Sequence, residues 1–242
     1  MVQENSLKKI IIICGPTASG KTELAIKCAE KLGSFVVSAD SMNVYKGLDI
    51  GKAKPTADEM KKVKHYLIDV CEPEQTFSVG DYRNLAAPII NDATSNKVVP
   101  VICGGTGFYI NSLIFKMSYG KIGADLIVRE KYKKLAEENG NEFVYNILKS
   151  KDENAAKKIH FNDLKRVIRA LEIFENGNKK SDIIDEKIPL FDYKAFMVDI
   201  PREILYKRID ERVEIMVNNG LFEEVKSLID RGITDKNQCM QG

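Results

Sequence analysis

The fold of this chain is decided by the stretch Ile10-Ile11-Ile12-Ile13-Cys14-Gly15-Pro16-Thr17-Ala18-Ser19-Gly20-Lys21-Thr22. Its first part is a short apolar run, which is typical of a buried β-strand. Its second part matches the pattern G-x-x-x-x-G-K-[ST] at every fixed position. A helical pattern follows over residues 22–32 and Gly33 ends it. The stretch therefore predicts a strand, a phosphate-binding loop and a helix in succession.

The loop over residues 15–22 has the composition that phosphate binding requires. Backbone N–H groups of such a loop point at the phosphate, and the N-terminus of the following helix adds positive potential. Gly15 and Gly20 allow the backbone to approach closely. Lys21 supplies a positive point charge, and the Thr22 hydroxyl can bind Mg²⁺. The motif predicts a bound phosphate but does not identify the molecule that carries it.

Further apolar runs alternate with helical patterns along the chain. They predict strands at 35–38, 66–70, 98–103 and 195–200. Ser78 and Asp81 form a capping-box pair, which predicts the start of a helix over 78–96. This alternation favours a P-loop NTPase-like α/β fold, in which helices cover both faces of a parallel sheet.

The stretch 124–174 interrupts this alternation because it is charged, has helical periodicity and lacks strand patterns. A helical pattern with a break at Asn219-Gly220 follows the last predicted strand. We therefore expect three segments. They are the first part of the α/β core at 1–118, a helical insertion at 119–188, and a return to the core with C-terminal helices at 189–242.

The composition excludes several classes of protein. With 37 Lys and Arg against 35 Asp and Glu and 44% apolar residues, the chain is neither a basic tail nor disordered. It contains no apolar run long enough for a membrane span or a signal peptide. Its five cysteines are scattered without a C-x-x-C pair, which argues against a zinc site or a disulfide framework. We therefore expect a cytoplasmic protein with no membrane partner.

Asp40 follows the second predicted strand directly. Ligands of open parallel sheets bind beyond the carboxyl ends of the strands, so Asp40 is expected to face the phosphate loop. It could hold a metal ion or act as a general base, and a role in capping a turn is the alternative. Asp69 and Asp199 also follow apolar runs and compete for the role beside a metal.

Several motifs occur in one order along the chain. They are Gly-Pro-Thr-Ala-Ser-Gly-Lys-Thr at 15–22, Ser-Ala-Asp-Ser-Met-Asn-Val-Tyr-Lys-Gly-Leu-Asp-Ile-Gly at 38–51, Ala-Lys-Pro at 53–55, His-Tyr-Leu-Ile-Asp at 65–69, Gly-Gly-Thr-Gly-Phe-Tyr at 104–109 and Arg-Val-Ile-Arg-Ala-Leu-Glu at 166–172. Together they resemble the bacterial-type tRNA dimethylallyltransferases, also called tRNA isopentenyl transferases, over residues 8–240. The resemblance implies transfer of a dimethylallyl group from dimethylallyl diphosphate to N6 of the adenosine 3′ of the anticodon, with release of diphosphate.

The resemblance also implies the role of each matching residue. Asp40 would be the general base, and Thr22 would bind Mg²⁺. Arg208 would be a second clamp on the diphosphate, with Arg212 one turn away as its alternative. The donor diphosphate would be bound by Gly15, Pro16, Thr17, Ala18, Ser19, Gly20, Lys21 and Thr22. The tRNA would be contacted by Asp40, Ser41, Met42, Asn43, Thr106, Lys165, Arg166, Val167, Ile168 and Arg169.

The implied partners are the tRNA anticodon loop and dimethylallyl diphosphate, and a monomer is expected. Positive charge is in local excess at 157–180 and 52–64, which fits either an RNA-binding surface or solvated helix faces. Members of the family continue for several more helices, so we expect the C-terminal part to be shortened here.

Two other functions fit the phosphate loop alone. One is a P-loop nucleotide or small-metabolite kinase with an arginine lid near 166–169, and the other is a nucleotide-gated binding module in which Asp40 is incidental.

Overall fold

The structure is a computed structural model that describes residues 8–116, 123, 125–183 and 187–241. The chain divides into two compact units. The first unit comprises Met1–Lys116 and Ile188–Gly242, and the second comprises Met117–Lys187. The predicted segment boundary at 118/119 and the predicted start of the strand-free stretch at 124 lie outside the described residues.

The first unit is built on a five-stranded sheet in which every described pair is parallel. The strand order is β3-β2-β4-β1-β5. The strands are β1 (Lys9–Cys14), β2 (Val36–Ser38), β3 (His65–Tyr66), β4 (Val101–Gly104) and β5 (Asp192–Met197). The predicted parallel α/β fold is therefore confirmed.

The strand register aligns the carboxyl ends of four strands. Cys14 of β1 is paired with Gly104 of β4 and with Met197 of β5, while Ser38 of β2 is paired with Cys103. The loops after these strands consequently leave the sheet at one edge, where open parallel sheets bind their ligands. The phosphate loop and Asp40 both begin at this edge.

Ten α-helices are described in the chain. They are α1 (Lys21–Leu32), α2 (Ala57–Lys62), α3 (Val79–Ser95), α4 (Gly107–Ile114), α5 (Leu126–Asn139), α6 (Asn141–Lys151), α7 (Glu153–Ala156), α8 (Leu164–Glu175), α9 (Arg202–Asn218) and α10 (Leu221–Asp230). Ser78 and Asp81 form the predicted capping box of α3. The predicted break at Asn219-Gly220 separates α9 from α10. No described helix has the length and apolar character needed to cross a bilayer.

Helix α1 buries a different face from the one its large residues suggest. The Leu24 and Leu32 side chains are both exposed. Ala25, Ile26 and Ala29 are buried instead. Two small alanines on this face allow the helix to pack closely on the sheet, and this packing overrides the preference of leucine for the interior.

The third predicted strand is shorter than its apolar run over 66–70. Leu67 and Asp69 adopt left-handed backbone conformations with φ of 62° and 56°. Such residues cannot continue a β-strand, so β3 contains only His65 and Tyr66. The strand predicted at 195–200 is displaced for another reason, because its pairing with β1 begins at the polar Asp192.

The regular elements described in the second unit are helical, and α5, α6 and α8 enclose its core. Tyr132, Val144, Leu148 and Leu171 are among the fully or almost fully buried side chains. Glu172 is also fully buried and forms ion pairs with two arginines of this unit, Arg129 and Arg169. The predicted helical character of 124–174 is thus confirmed for the described residues.

Candidate active site

A cavity of about 640 Å³ lies at the carboxyl edge of the sheet in the first unit. Its lining comes from the phosphate loop, the start of α1, the end of β4, β2 with the segment that follows it, and α9. The lining includes Thr17, Ala18, Ser19, Gly20, Lys21, Thr22, Ser38, Asp40, Met42, Asn43, Gly51, Lys52, Ala53, Lys54, Pro55, His65, Cys103, Gly104, Ile209, Arg212 and Met216. Thr17–Thr22 and Asp40, which the sequence singled out, therefore share one cavity.

The phosphate loop has the tight backbone that its glycines predict. Ala18 and Gly20 have positive φ values of 61° and 87°, and an added Cβ at Gly15 would lie 2.9 Å from the Val198 carbonyl oxygen. The Lys21 ammonium group donates to the Pro16 carbonyl at 3.1 Å, which places its charge over the loop. First-turn amides of a helix have no intrahelical acceptor. Those of α1 are therefore suited to binding an anion.

Asp40 lies where the chain leaves β2, and its position is fixed by short-range bonds. Its Oδ1 atom accepts from the Met42 N–H at 2.9 Å. The next amide, of Ser41, donates to Thr106 Oγ1 at 3.0 Å, and the Thr106 amide donates to the Ala39 carbonyl at 3.1 Å. Thr106 thus joins the segment after β2 to the start of α4. A tRNA contact by Ser41 or Thr106 stays a prediction, since neither lines the cavity.

Helix α9 supplies one arginine to the cavity. Arg212 is partly buried and lies among the lining residues with Ile209 and Met216. Burial lowers the pKa of the Arg212 guanidinium, and the negative charge of Asp40 acts in the opposite direction. Both groups line the same cavity. Arg208, one turn earlier, is exposed and does not belong to the lining. Of the two candidate clamps, the structure brings Arg212 to the cavity.

Four polar atoms in this lining are buried and have no hydrogen-bond partner among the described residues. They are Ser19 Oγ, Ser38 Oγ, Asn43 Oδ1 and His65 Nε2. Buried polar groups normally have partners, so these four atoms have unused hydrogen-bonding capacity beside the cavity. His65 Nδ1 lies 2.8 Å from the Val63 carbonyl, which assigns its proton to Nδ1 and leaves Nε2 as an acceptor. Burial lowers the pKa of His65.

Sequence reasoning did not identify Ser38 or His65 as lining residues. Each belongs to a strand of the sheet, β2 and β3 respectively. Their position at the ligand-binding edge depends on the register of neighbouring strands, which the local pattern does not contain. Cys103 of β4 was likewise not identified. It lies in the lining, its Sγ atom contacts the Lys21 carbonyl at 3.6 Å, and burial raises its pKa.

The lining residues fit a magnesium ion of the kind that phosphate loops hold. Such an ion takes few protein ligands and completes its shell with phosphate oxygens and water. Thr22 and Asp40 offer a hydroxyl and a carboxylate to the same cavity. The part of the chain that is described contains no cluster of three or more His, Cys, Asp or Glu suited to a metal. Asp69 is paired with Lys54, and Asp199 is exposed outside the lining, so neither competes with Asp40.

The stretch predicted to contact tRNA in the second unit, Lys165–Arg169, has mixed environments. Val167 and Ile168 are buried in the core of that unit, so assigning them to tRNA contact was wrong. Lys165 is exposed. The Arg166 side chain is 75% exposed and lies 3.3 Å from an Asp163 carboxylate oxygen. Arg169 forms an ion pair with the buried Glu172. Contact of the exposed Lys165 and Arg166 side chains with tRNA stays a prediction.

Comparison with known proteins identifies the family. The family model described as IPP transferase matches residues 43–242. A tRNA dimethylallyltransferase of Acetivibrio thermocellus is 41% identical over 240 residues, with 98% of this chain and 77% of the relative covered. This chain belongs to the tRNA dimethylallyltransferase family. A second member, from Bacillus cytotoxicus, is 42% identical over 237 residues, with 97% and 75% covered.

Solved structures of the tRNA dimethylallyltransferase family agree with this assignment. The full-length tRNA isopentenylpyrophosphate transferase of Bacillus halodurans is 38% identical with a TM-score of 0.66, and the match covers 97% of this chain and 74% of that one. A eukaryotic dimethylallyltransferase acting on tRNA is 29% identical with a TM-score of 0.83, and 96% and 58% are covered. The resemblance found in the motifs is therefore confirmed, and the chain is a prenyltransferase enzyme rather than a kinase.

Proposed function

We propose that this enzyme transfers a dimethylallyl group from dimethylallyl diphosphate to N6 of the adenosine 3′ of the anticodon in tRNA, and that it releases diphosphate. One observation carries the proposal: the phosphate loop and the Asp40 carboxylate line the same cavity. One cavity thereby offers a site for the diphosphate leaving group of the donor and a base for the amine of the acceptor.

The phosphate loop would stabilise the leaving group. When the allylic C–O bond breaks, its electron pair goes to the diphosphate, whose negative charge increases. Lys21, the first-turn amides of α1 and Arg212 present fixed positive groups to this charge. A magnesium ion held by the Thr22 hydroxyl would supply further charge neutralisation. Such preorganised groups act more strongly in a cavity than in water.

Asp40 would serve the nucleophile. The exocyclic amine of adenine is a weak nucleophile, so a base that removes its proton as the N–C bond forms favours the reaction. Asp40 would accept that proton, while the carbon–oxygen electron pair leaves with the diphosphate. The bond to Met42 N–H occupies Oδ1 and orients the carboxylate, leaving Oδ2 for the amine.

The tRNA must present its adenine outside the anticodon stack, because a base inside the stack cannot reach such a cavity. Unpaired loop bases are the usual targets of sequence-specific RNA recognition. We assign Met42 and Asn43, which line the cavity, to contact with this base. Lys165 and Arg166 of the second unit would contact phosphates elsewhere on the tRNA. A cytoplasmic monomer that binds dimethylallyl diphosphate is part of the same proposal.

The decisive experiment incubates the protein with labelled dimethylallyl diphosphate and unmodified tRNA in the absence of ATP. We expect label in the RNA. Asp40→Asn should lower the turnover number by about 10²- to 10⁴-fold and leave the KM for the donor within a few-fold, whereas Asp58→Asn, at an exposed helical position, should change neither. Failure to label the RNA, together with phosphate transfer from ATP to a hydroxyl compound, would overturn the proposal.

A further inference from the structure

Glu224 of α10 binds three successive backbone amides of the loop between β2 and α2. Its Oε2 atom accepts from Asp49 N–H and Ile50 N–H, each at 2.7 Å, and its Oε1 atom accepts from Gly51 N–H at 2.9 Å. Consecutive amides that converge on one anion form a strong, charge-assisted contact. The contact joins positions 173 to 175 residues apart in the sequence.

Two glycines allow α10 to approach this loop closely. A Cβ atom added at Gly51 would lie 3.3 Å from Glu224 Oε1 and 3.1 Å from Leu221 Cδ1. Gly220, which precedes α10, has a φ of 99° that other residues rarely adopt. The backbone on both sides is therefore adapted to the contact made by Glu224.

The same loop is also held by Lys54. The Lys54 side chain is only 4% exposed. Its ammonium group donates to the Tyr45 carbonyl at 2.6 Å and to Asp49 Oδ1 at 2.7 Å, and it also pairs with Asp69. These three donations use every N–H that a lysine ammonium has. Lys54 thus forms hydrogen bonds within segment 45–54, and Glu224 joins this segment to α10.

This loop forms a wall of the cavity. Asp40 and Asn43 lie before the anchored segment, and the lining residues 51–55 begin within it at Gly51. We propose that Glu224 is a positioning residue: its carboxylate fixes the amides of 49–51 and thereby places the wall formed by 51–55 for binding of the donor diphosphate. This proposal rests on the proposed function for its catalytic consequence, but its effect on diphosphate binding can be measured without catalysis.

The test compares Glu224→Gln and Glu224→Asp with Glu223→Gln, a neighbouring exposed position whose substitution changes the net charge by the same amount. Hydrogen exchange of residues 46–55 is measured first. Affinity for inorganic pyrophosphate is then measured by calorimetry. We expect at least tenfold faster exchange of the 49–51 amides in Glu224→Gln, and about tenfold weaker pyrophosphate binding, which corresponds to about 1.4 kcal/mol. Glu224→Asp should lie between wild type and Glu224→Gln, and Glu223→Gln should match wild type.

In transfer assays, Glu224→Gln should raise the KM for the donor about tenfold and leave the turnover number within twofold. A merely structural loss would lower the amount of active enzyme and leave the KM unchanged. Unchanged pyrophosphate affinity in both Glu224 variants would overturn the proposal, even if exchange became faster. If Glu224→Gln did not fold, equal affinity of Glu224→Asp and wild type would overturn it. If the wild type binds pyrophosphate but does not label tRNA, the proposed function fails and the affinity comparison still decides the role of Glu224.

Discussion

The assignment of Arg212 as the arginine that contacts the donor diphosphate makes a specific prediction. Arg212 and Asp40 line the same cavity, whereas Arg208 is exposed and outside the lining. Replacing Arg212 by Ala removes hydrogen bonds between a partly buried guanidinium and an anion, and bonds to charged groups contribute about 1.5–3 kcal/mol. The expected loss in kcat/KM for dimethylallyl transfer is roughly 10- to 150-fold.

The matched control is Arg208→Ala, which removes the same side chain one turn earlier. An exposed guanidinium contributes at most about 1 kcal/mol, so its kcat/KM should fall by less than about fivefold. Arg212→Lys should be intermediate, because it keeps the charge and loses the planar fork of donors. The assay is initial-rate transfer of labelled donor to tRNA, with thermal unfolding of each variant measured in parallel. A larger loss for Arg208→Ala than for Arg212→Ala would refute the assignment.

Two further predictions concern stability. Gly104→Ala should lower the free energy of unfolding of the first unit in urea by about 3 kcal/mol or more, because the added Cβ would lie 2.1 Å from the Ala39 carbonyl oxygen. The control is Gly107→Ala, where an added Cβ has no neighbour within 4 Å. Equal stability of the two variants would contradict the prediction. Glu175→Gln should lower the melting temperature at neutral pH and lose its effect as the pH falls from 4.5 toward 2. The Tyr132 hydroxyl and a lysine hold the pKa of Glu175 at about 2 in the folded protein. The ionised carboxylate therefore stabilises the fold above its unfolded pKa, and this stabilisation is lost as the pH falls toward the folded pKa. A difference in melting temperature that does not change with pH would contradict the prediction.

Local chemistry was predictable from the sequence where a single segment contains all of the information. The phosphate loop and the capping box of α3 are of this kind, because their glycines, lysine and capping side chains act on neighbouring backbone atoms. Asp40 was also placed correctly at the cavity, since the carboxyl end of a parallel strand has a known relation to the ligand-binding edge.

Long-range features were not predictable in the same way. Arg208 and Arg212 lie on the same helix, and only the packing of α9 shows which of them reaches the cavity. Val167 and Ile168 were included with exposed neighbours although the helical period places them in a core. Glu224 carries no local signal at all, because its three partners lie at the other end of the chain. Such contacts depend on tertiary packing, which overrides or adds to local preference.

The thiol of Cys103 lies in the wall of a cavity that is proposed to receive an electrophile. Burial raises its pKa to about 12, so the thiol is uncharged at neutral pH. The uncharged sulfur does not repel the anionic donor. It is also a poor nucleophile toward an allylic carbon, so in the proposed reaction the thiol does not compete with the adenine amine for the five-carbon unit.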